Sequence, residues 1–147
     1  MSDLRNLYQE VILDHNKRPR NYRVLHPYSH KADGFNPLCG DKVTVYLDVE
    51  DGILKDLSFQ GAGCAISSAS ASLMTEALKG KPIAEAYELF KDFHDAVTGT
   101  TEPSAKLGKL AILAGVRDYP SRVKCATLVW HALRAALENR SEAVATE

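Results

Sequence analysis

Residues 41–60 read DKVTVYLDVEDGILKDLSFQ, two apolar-alternating runs that meet at Asp51 and Gly52. Val43, Val45, Leu47 and Val49 alternate with Thr44, Tyr46 and Asp48, the period of a strand with one buried face, and Asp-Gly between two such runs is a hairpin signal. Beyond the turn, Ile53, Lys55, Leu57 and Phe59 share the parity expected to face the core. Helical patterns lie on both sides of this hairpin. The chain therefore reads as α+β: a small antiparallel sheet of about three strands packed against several α-helices.

Upstream, Leu4, Leu7, Tyr8 and Val11 recur at helical spacing, and NKRPRN (16–21) ends that helix because the residue before a proline leaves the helical region. YRVLHPYSHKADG (22–34) reads as an irregular or extended connection. Downstream, GAGC (61–64) closes the second strand, and a helix follows from Ala65 to Lys79 with Ile66, Ser70, Leu73 and Ala77 along one line and Gly80 as its stop. Pro82 opens a helix that ends near Gly99. SAKLGKLAILAGVRDYP (104–120) reads as another short helix, and a last one begins at Pro120 or Ser121 with Val123, Ala126, Trp130, Leu133 and Leu137 as its core stripe. Residues 1–138 are expected to form one domain and 139–147 a flexible tail.

The 147 residues are 45% hydrophobic and 25% charged, with a net charge of -1. That composition suits an ordinary soluble domain and lacks the basic excess of a nucleic-acid binder. The N-terminus mixes charges of both signs without an apolar core segment, so it does not read as a secretory signal. The longest uncharged stretch, 57–75, carries too many serines to span a membrane. A cytoplasmic protein is expected. G-x-x-x-x-G-K-[ST], G-x-G-x-x-G and G-x-S-x-G patterns are absent. The SSASAS run (67–72) reads as small residues that permit close helix packing rather than as nucleophiles.

The three cysteines, Cys39, Cys64 and Cys125, cannot all pair with one another, and each falls at a junction between elements. Cys39 precedes the hairpin two residues before Asp41, Cys64 opens a helix, where the dipole favours a thiolate, and Cys125 lies in the early turns of the last helix. Cysteine also serves as a small buried apolar residue, and Cys125 suits that role as well as any other. If the three converge with Asp41 they form a tetrahedral zinc set of three soft ligands and one hard one. Arg122 and Lys124 could offset its excess negative charge. His131 lies about 600° around the helix from Cys125 and points elsewhere. His15, His26, His30 and His94 are expected to be solvated, with His94 the least securely dismissed.

NPLCGDKVTVYLDV (36–49), GAGCAISSASASLMTEALKGK (61–81) and SRVKCATLVWHAL (121–133), with LYQEVILDHNKRPRNY (7–22), together resemble the U-type iron-sulfur assembly proteins, a group that includes SufU, IscU and the N-terminal part of NifU. Two details resemble the SufU branch: Lys124 stands where IscU-type scaffolds carry a histidine, and LGKLAILAGVRDYPSR (107–122) looks like the SufU insertion. The resemblance implies that Cys39, Asp41, Cys64 and Cys125 bind Zn2+, with Arg122 supporting the site. It also implies that Cys39 accepts persulfide sulfur from a SufS-like cysteine desulfurase for downstream iron-sulfur assembly proteins. Asp41 is then expected to stay on the metal while Cys39, on an exposed loop, comes off it. Two alternatives stand beside this reading. One is a scaffold on which Cys39, Cys64 and Cys125 hold iron or a transient iron-sulfur cluster, and the other a structural zinc module that acts only by docking to the desulfurase.

Overall fold

The computed structural model describes residues 2–37, 40–138 and 144–145, with side chains described over 9–37 and 40–138. In chain order the elements are α1 (Ser2–Lys17), β1 (His30–Asn36), β2 (Asp41–Glu50), β3 (Ile53–Ala62), α2 (Ala65–Leu78), α3 (Ile83–Thr98), a 3-10 segment (Ala105–Asp118), α4 (Pro120–Leu137) and a two-residue strand β4 (Val144–Ala145). The hairpin forms as its sequence dictates, with β2 antiparallel to β3 and Asp51 and Gly52 both at positive φ in the turn.

One residue breaks the alternation. Asp48 pairs with Asp56 and Val49 with Leu54, so Lys55 is left over as a β-bulge. Because side chains alternate strictly, an extra residue reverses which of them face inward. Leu54 is accordingly buried while Lys55 is exposed, although Leu57 and Phe59 keep the expected inward parity.

The third strand corrects the reading of 22–34 as a mere connection. His30–Asn36 pairs antiparallel with β2, from His30 opposite Leu47 to Asn36 opposite Asp41. Its inward residues are Ala32, Gly34 and Asn36, while its one large apolar residue, Phe35, faces outward. No hydrophobic alternation was there to be seen. Both edges of the sheet are covered: Arg23 and Phe59 exchange backbone bonds with Phe59 and Asn21 along β3, and β4 lies parallel to β1 at Gly34 and Phe35. Of the expected tail, 139–143 and 146–147 lie outside the described residues.

One face of the sheet packs on two helices, α4 over β1 and β2 and α2 over β3, with α1 against α2 and α3 against α4. Trp130 is fully buried between them, stacked on Phe93 at 4.8 Å and edge-on to Phe90 at 6.0 Å. The 104–120 stretch is 3-10 rather than α-helical, broken by a non-helical Gly108, and it packs mainly on α3.

The serines of α2 do more than save space. Ser70 donates to the Ala126 carbonyl at 2.6 Å and accepts from the Trp130 indole at 3.2 Å, joining α2 to α4. Ser72 accepts from the Arg20 amide at 2.8 Å and lies 2.6 Å from His15 Nδ1, joining α2 to α1. His15 is thus buried, at 1% exposure, and not solvated as expected. Its neighbour in the chain, Asp14, turns outward to pair with Arg20 at 2.8 Å.

Burial, and then the Arg20 charge, hold His15 below its usual value of 6.5. The unfolded chain therefore takes up this proton before the folded one does, so stability is full above that value and declines as pH falls below it. In urea titrations of metal-free protein, lowering the pH from about 7.5 to about 5.5 should cost wild type more stability than His15→Gln, which cannot titrate. Equal losses in the two proteins would contradict this assignment.

Candidate metal centre

Asp41 begins β2, Cys64 precedes α2 and Cys125 lies in the second turn of α4, three segments far apart in sequence. The sheet and its two covering helices bring them together. The Asp41 carboxylate, Cys64 Sγ and Cys125 Sγ each lie within 4.8 Å of the others, with Asp41 and Cys125 buried and Cys64 half-buried. No histidine belongs to this group among the described residues.

Local structure fixes each donor. Cys64 has extended backbone angles and is the N-cap of α2, where its sulfur accepts from the Ser67 amide at 3.4 Å. The sulfur thus takes the place usually held by a serine or aspartate oxygen, at the positive end of the helix dipole. Asp41 uses its two oxygens differently. Oδ1 accepts the Cys64 amide at 2.8 Å, while Oδ2 accepts from the Cys64 thiol at 3.7 Å. Cys125 is held by the burial of α4.

This donor set fits zinc. Tetrahedral Zn2+ with bonds of about 2.3 Å to sulfur and 2.0 Å to oxygen needs ligand atoms roughly 3.5 to 3.8 Å apart. The 3.7 Å between Cys64 Sγ and Asp41 Oδ2 is near that spacing, and all three donors lie within 4.8 Å of one another. Two thiolates and a carboxylate also suit zinc better than the oxygen-preferring Ca2+ or Mg2+.

Cys39, the remaining expected ligand, lies outside the described residues, but the ends of its loop are placed. Asn36 pairs with Asp41, and the Gly40 amide donates to the Asn36 carbonyl at 2.8 Å. Gly40 has φ 74°, a conformation that glycine adopts without strain. Arg122 is exposed and Lys124 half-buried on the first turns of α4, and among the described residues neither makes an ion pair.

The other histidines lie elsewhere. His94 and His131 share a cleft between α3 and α4 with Tyr87 and Phe90, their rings 6.2 Å apart. Burial, then the neighbouring His94 and Arg134 charges, push His131 below its usual value. His26 is exposed, and His30 bonds to Ser29 at 2.7 Å.

The family profile of the NifU-like N terminal domain matches residues 7–126. The chain belongs to that family. It is 45% identical over 133 residues to the zinc-dependent sulfurtransferase SufU of Bacillus subtilis, covering 90% of each chain. It is 39% identical over 150 residues to the iron-sulfur cluster assembly scaffold protein IscU of Streptococcus pyogenes, covering 97% of this chain and 90% of that one. Among solved structures, a candidate SUF-system scaffold from Fervidobacterium islandicum superposes with a TM-score of 0.84 at 35% identity, over 89% of this chain and 96% of that one. The α+β family fold and the place of this chain in iron-sulfur cluster assembly follow. No helix among the described residues is long and apolar enough to cross a membrane.

The clustering of three donors predicts a measurable linkage. At 100 times its dissociation constant, Zn2+ should stabilise the protein by about 2.7 kcal/mol, raising Tm by roughly 5 to 10 °C for a chain of this size. Calorimetry should show that shift in wild type and not in Cys64→Ala or Cys125→Ala. A shift retained by both variants would place the metal elsewhere.

Proposed function

We propose that this protein is a zinc-dependent sulfur acceptor in iron-sulfur cluster assembly, taking persulfide sulfur from a SufS-like cysteine desulfurase onto Cys39. The observation that carries the reading is the convergence of Asp41, Cys64 and Cys125 within 4.8 Å, with Asp41 at the end of the β1–β2 connection to which Cys39 belongs in sequence. Cys39 is two residues from Asp41, a length of chain that spans at most about 7 Å, so its sulfur is within reach of the same centre.

Cys39, Asp41, Cys64 and Cys125 would hold the ion, and Arg122 and Lys124 would offset part of the charge of four anionic ligands. Zinc, when bound there, supplies a redox-inert Lewis acid that keeps thiols ionised without oxidising them. The transfer itself needs no added oxidant or reductant. The Cys39 thiolate attacks the outer sulfur of the partner's cysteine persulfide, the partner's S–S bond breaks, and its electron pair leaves as the partner's thiolate. Cys39 then carries the persulfide for downstream iron-sulfur assembly proteins. All of this suits a cytoplasmic protein with reduced cysteines.

A second reading, a scaffold holding iron or a nascent cluster on Cys39, Cys64 and Cys125, is supported by the extended similarity to the S. pyogenes scaffold protein. Lys124 weighs against it. An ammonium cannot ligate iron at the position where the scaffold type carries a histidine. In the third reading, a structural zinc module, the same ligands serve only to clip loop and helices together.

Incubation of the zinc-loaded protein with desulfurase and cysteine should yield a one-sulfur mass increment that peptide mapping assigns to Cys39. Cys39→Ala should lose both the increment and stimulation of the desulfurase. Full stimulation by Cys39→Ala would favour the structural module. A stable stoichiometric cluster after anaerobic reconstitution, with no sulfur accepted by the zinc form, would favour the scaffold.

A further inference from the structure

Gly63 stands between the end of β3 and the N-cap of α2, and its φ lies outside the left-handed region that favours glycine. Backbone freedom does not call for glycine here; space does. A β-carbon at this position would lie 2.6 Å from Asp41 Oδ1, 2.9 Å from its Cγ and 3.2 Å from its Cβ. The first two distances are shorter than any real β-carbon contact, so the carboxylate would have to leave its place. It is a buried group with little room to move, at 1% exposure.

We infer that Gly63 is a positioning residue for Asp41: the missing side chain makes the slot in which the carboxylate lies flat against the start of α2, one oxygen on the Cys64 amide and the other turned to the thiols. This inference rests on the proposed zinc site and adds a specificity element to it. With Oδ1 bonded to the Cys64 amide at 2.8 Å, Oδ2, 3.7 Å from the Cys64 sulfur, is the oxygen Asp41 holds toward a metal beside that thiol. A single oxygen with sulfur ligands suits four-coordinate zinc, whereas Ca2+ and Mg2+ require shells of six or more oxygens. Losing such an outer contact to a metal ligand typically weakens metal binding ten- to a hundredfold.

Two measurements on Gly63→Ala test this. The first is zinc affinity by chelator competition in wild type, G63A, D41A and the G63A/D41A double variant. G63A should bind zinc at least tenfold more weakly than wild type, and the double variant should lose little beyond D41A, because an alanine at 41 removes the two atoms inside 3.0 Å and leaves only the 3.2 Å contact with its Cβ. Wild-type affinity in G63A, or an equal further loss in the D41A background, would overturn the inference, the latter by showing a backbone effect independent of the carboxylate. The second is amide hydrogen exchange at Cys64 in metal-free protein, with far-UV circular dichroism to verify the fold. Protection in wild type that is lost in G63A supports the slot, and protection retained in G63A refutes it. Should wild type bind no zinc at all, the proposed function fails, while the exchange result still decides the role of Gly63.

Discussion

The hydrogen bond from the Cys64 amide to the Asp41 carboxylate, 2.8 Å long, ties the first residue of β2 to the N-terminus of α2. A buried carboxylate is costly unless its oxygens are satisfied, and a helix N-terminus leaves amides in need of acceptors. Each group answers the other's requirement. The same contact places the two hard and soft donors side by side, so the junction that closes the fold at this end is also the junction that builds the centre. Cys125 joins them because α4 crosses β1 and β2 and also packs against α2.

Behind this junction the helices are locked by polar contacts within an otherwise apolar interior. Ser70 bridges α2 to the backbone of α4 and to Trp130, and Ser72 bridges α2 to His15 of α1 and to the segment that follows it. Buried polar groups specify one arrangement because the alternatives leave them without partners. α2 is therefore fixed in position along its length. Cys64 at its N-cap inherits that rigidity, as a residue that is to serve as a metal ligand must, since ligand atoms have to be held within a fraction of an ångström.

The hairpin, the four α-helices and the three clustered donors Asp41, Cys64 and Cys125 were legible in the sequence because each rests on local chemistry: alternation, capping glycines, prolines, and thiols beside polar neighbours. The features that were not legible depend on partners distant in the chain. Lys55 faces solvent because β2 and β3 differ by one residue across the bulge, and β1 was hidden because its inward positions hold Ala32, Gly34 and Asn36. His15 looked solvated among charged neighbours, yet the helix turns it onto Ser72 and leaves Asp14 outside. Gly63 could be read only as a strand terminator until the Asp41 carboxylate was seen beside it.

The central claim is that one zinc ion is held by the residues of this junction, with a carboxylate among thiolates. Zinc K-edge X-ray absorption of the purified protein tests it directly. The predicted shell is three sulfurs at about 2.3 Å and one oxygen at about 2.0 Å, with no outer-shell signature of imidazole. A shell containing histidine nitrogen, or one made only of nitrogen and oxygen, would contradict it.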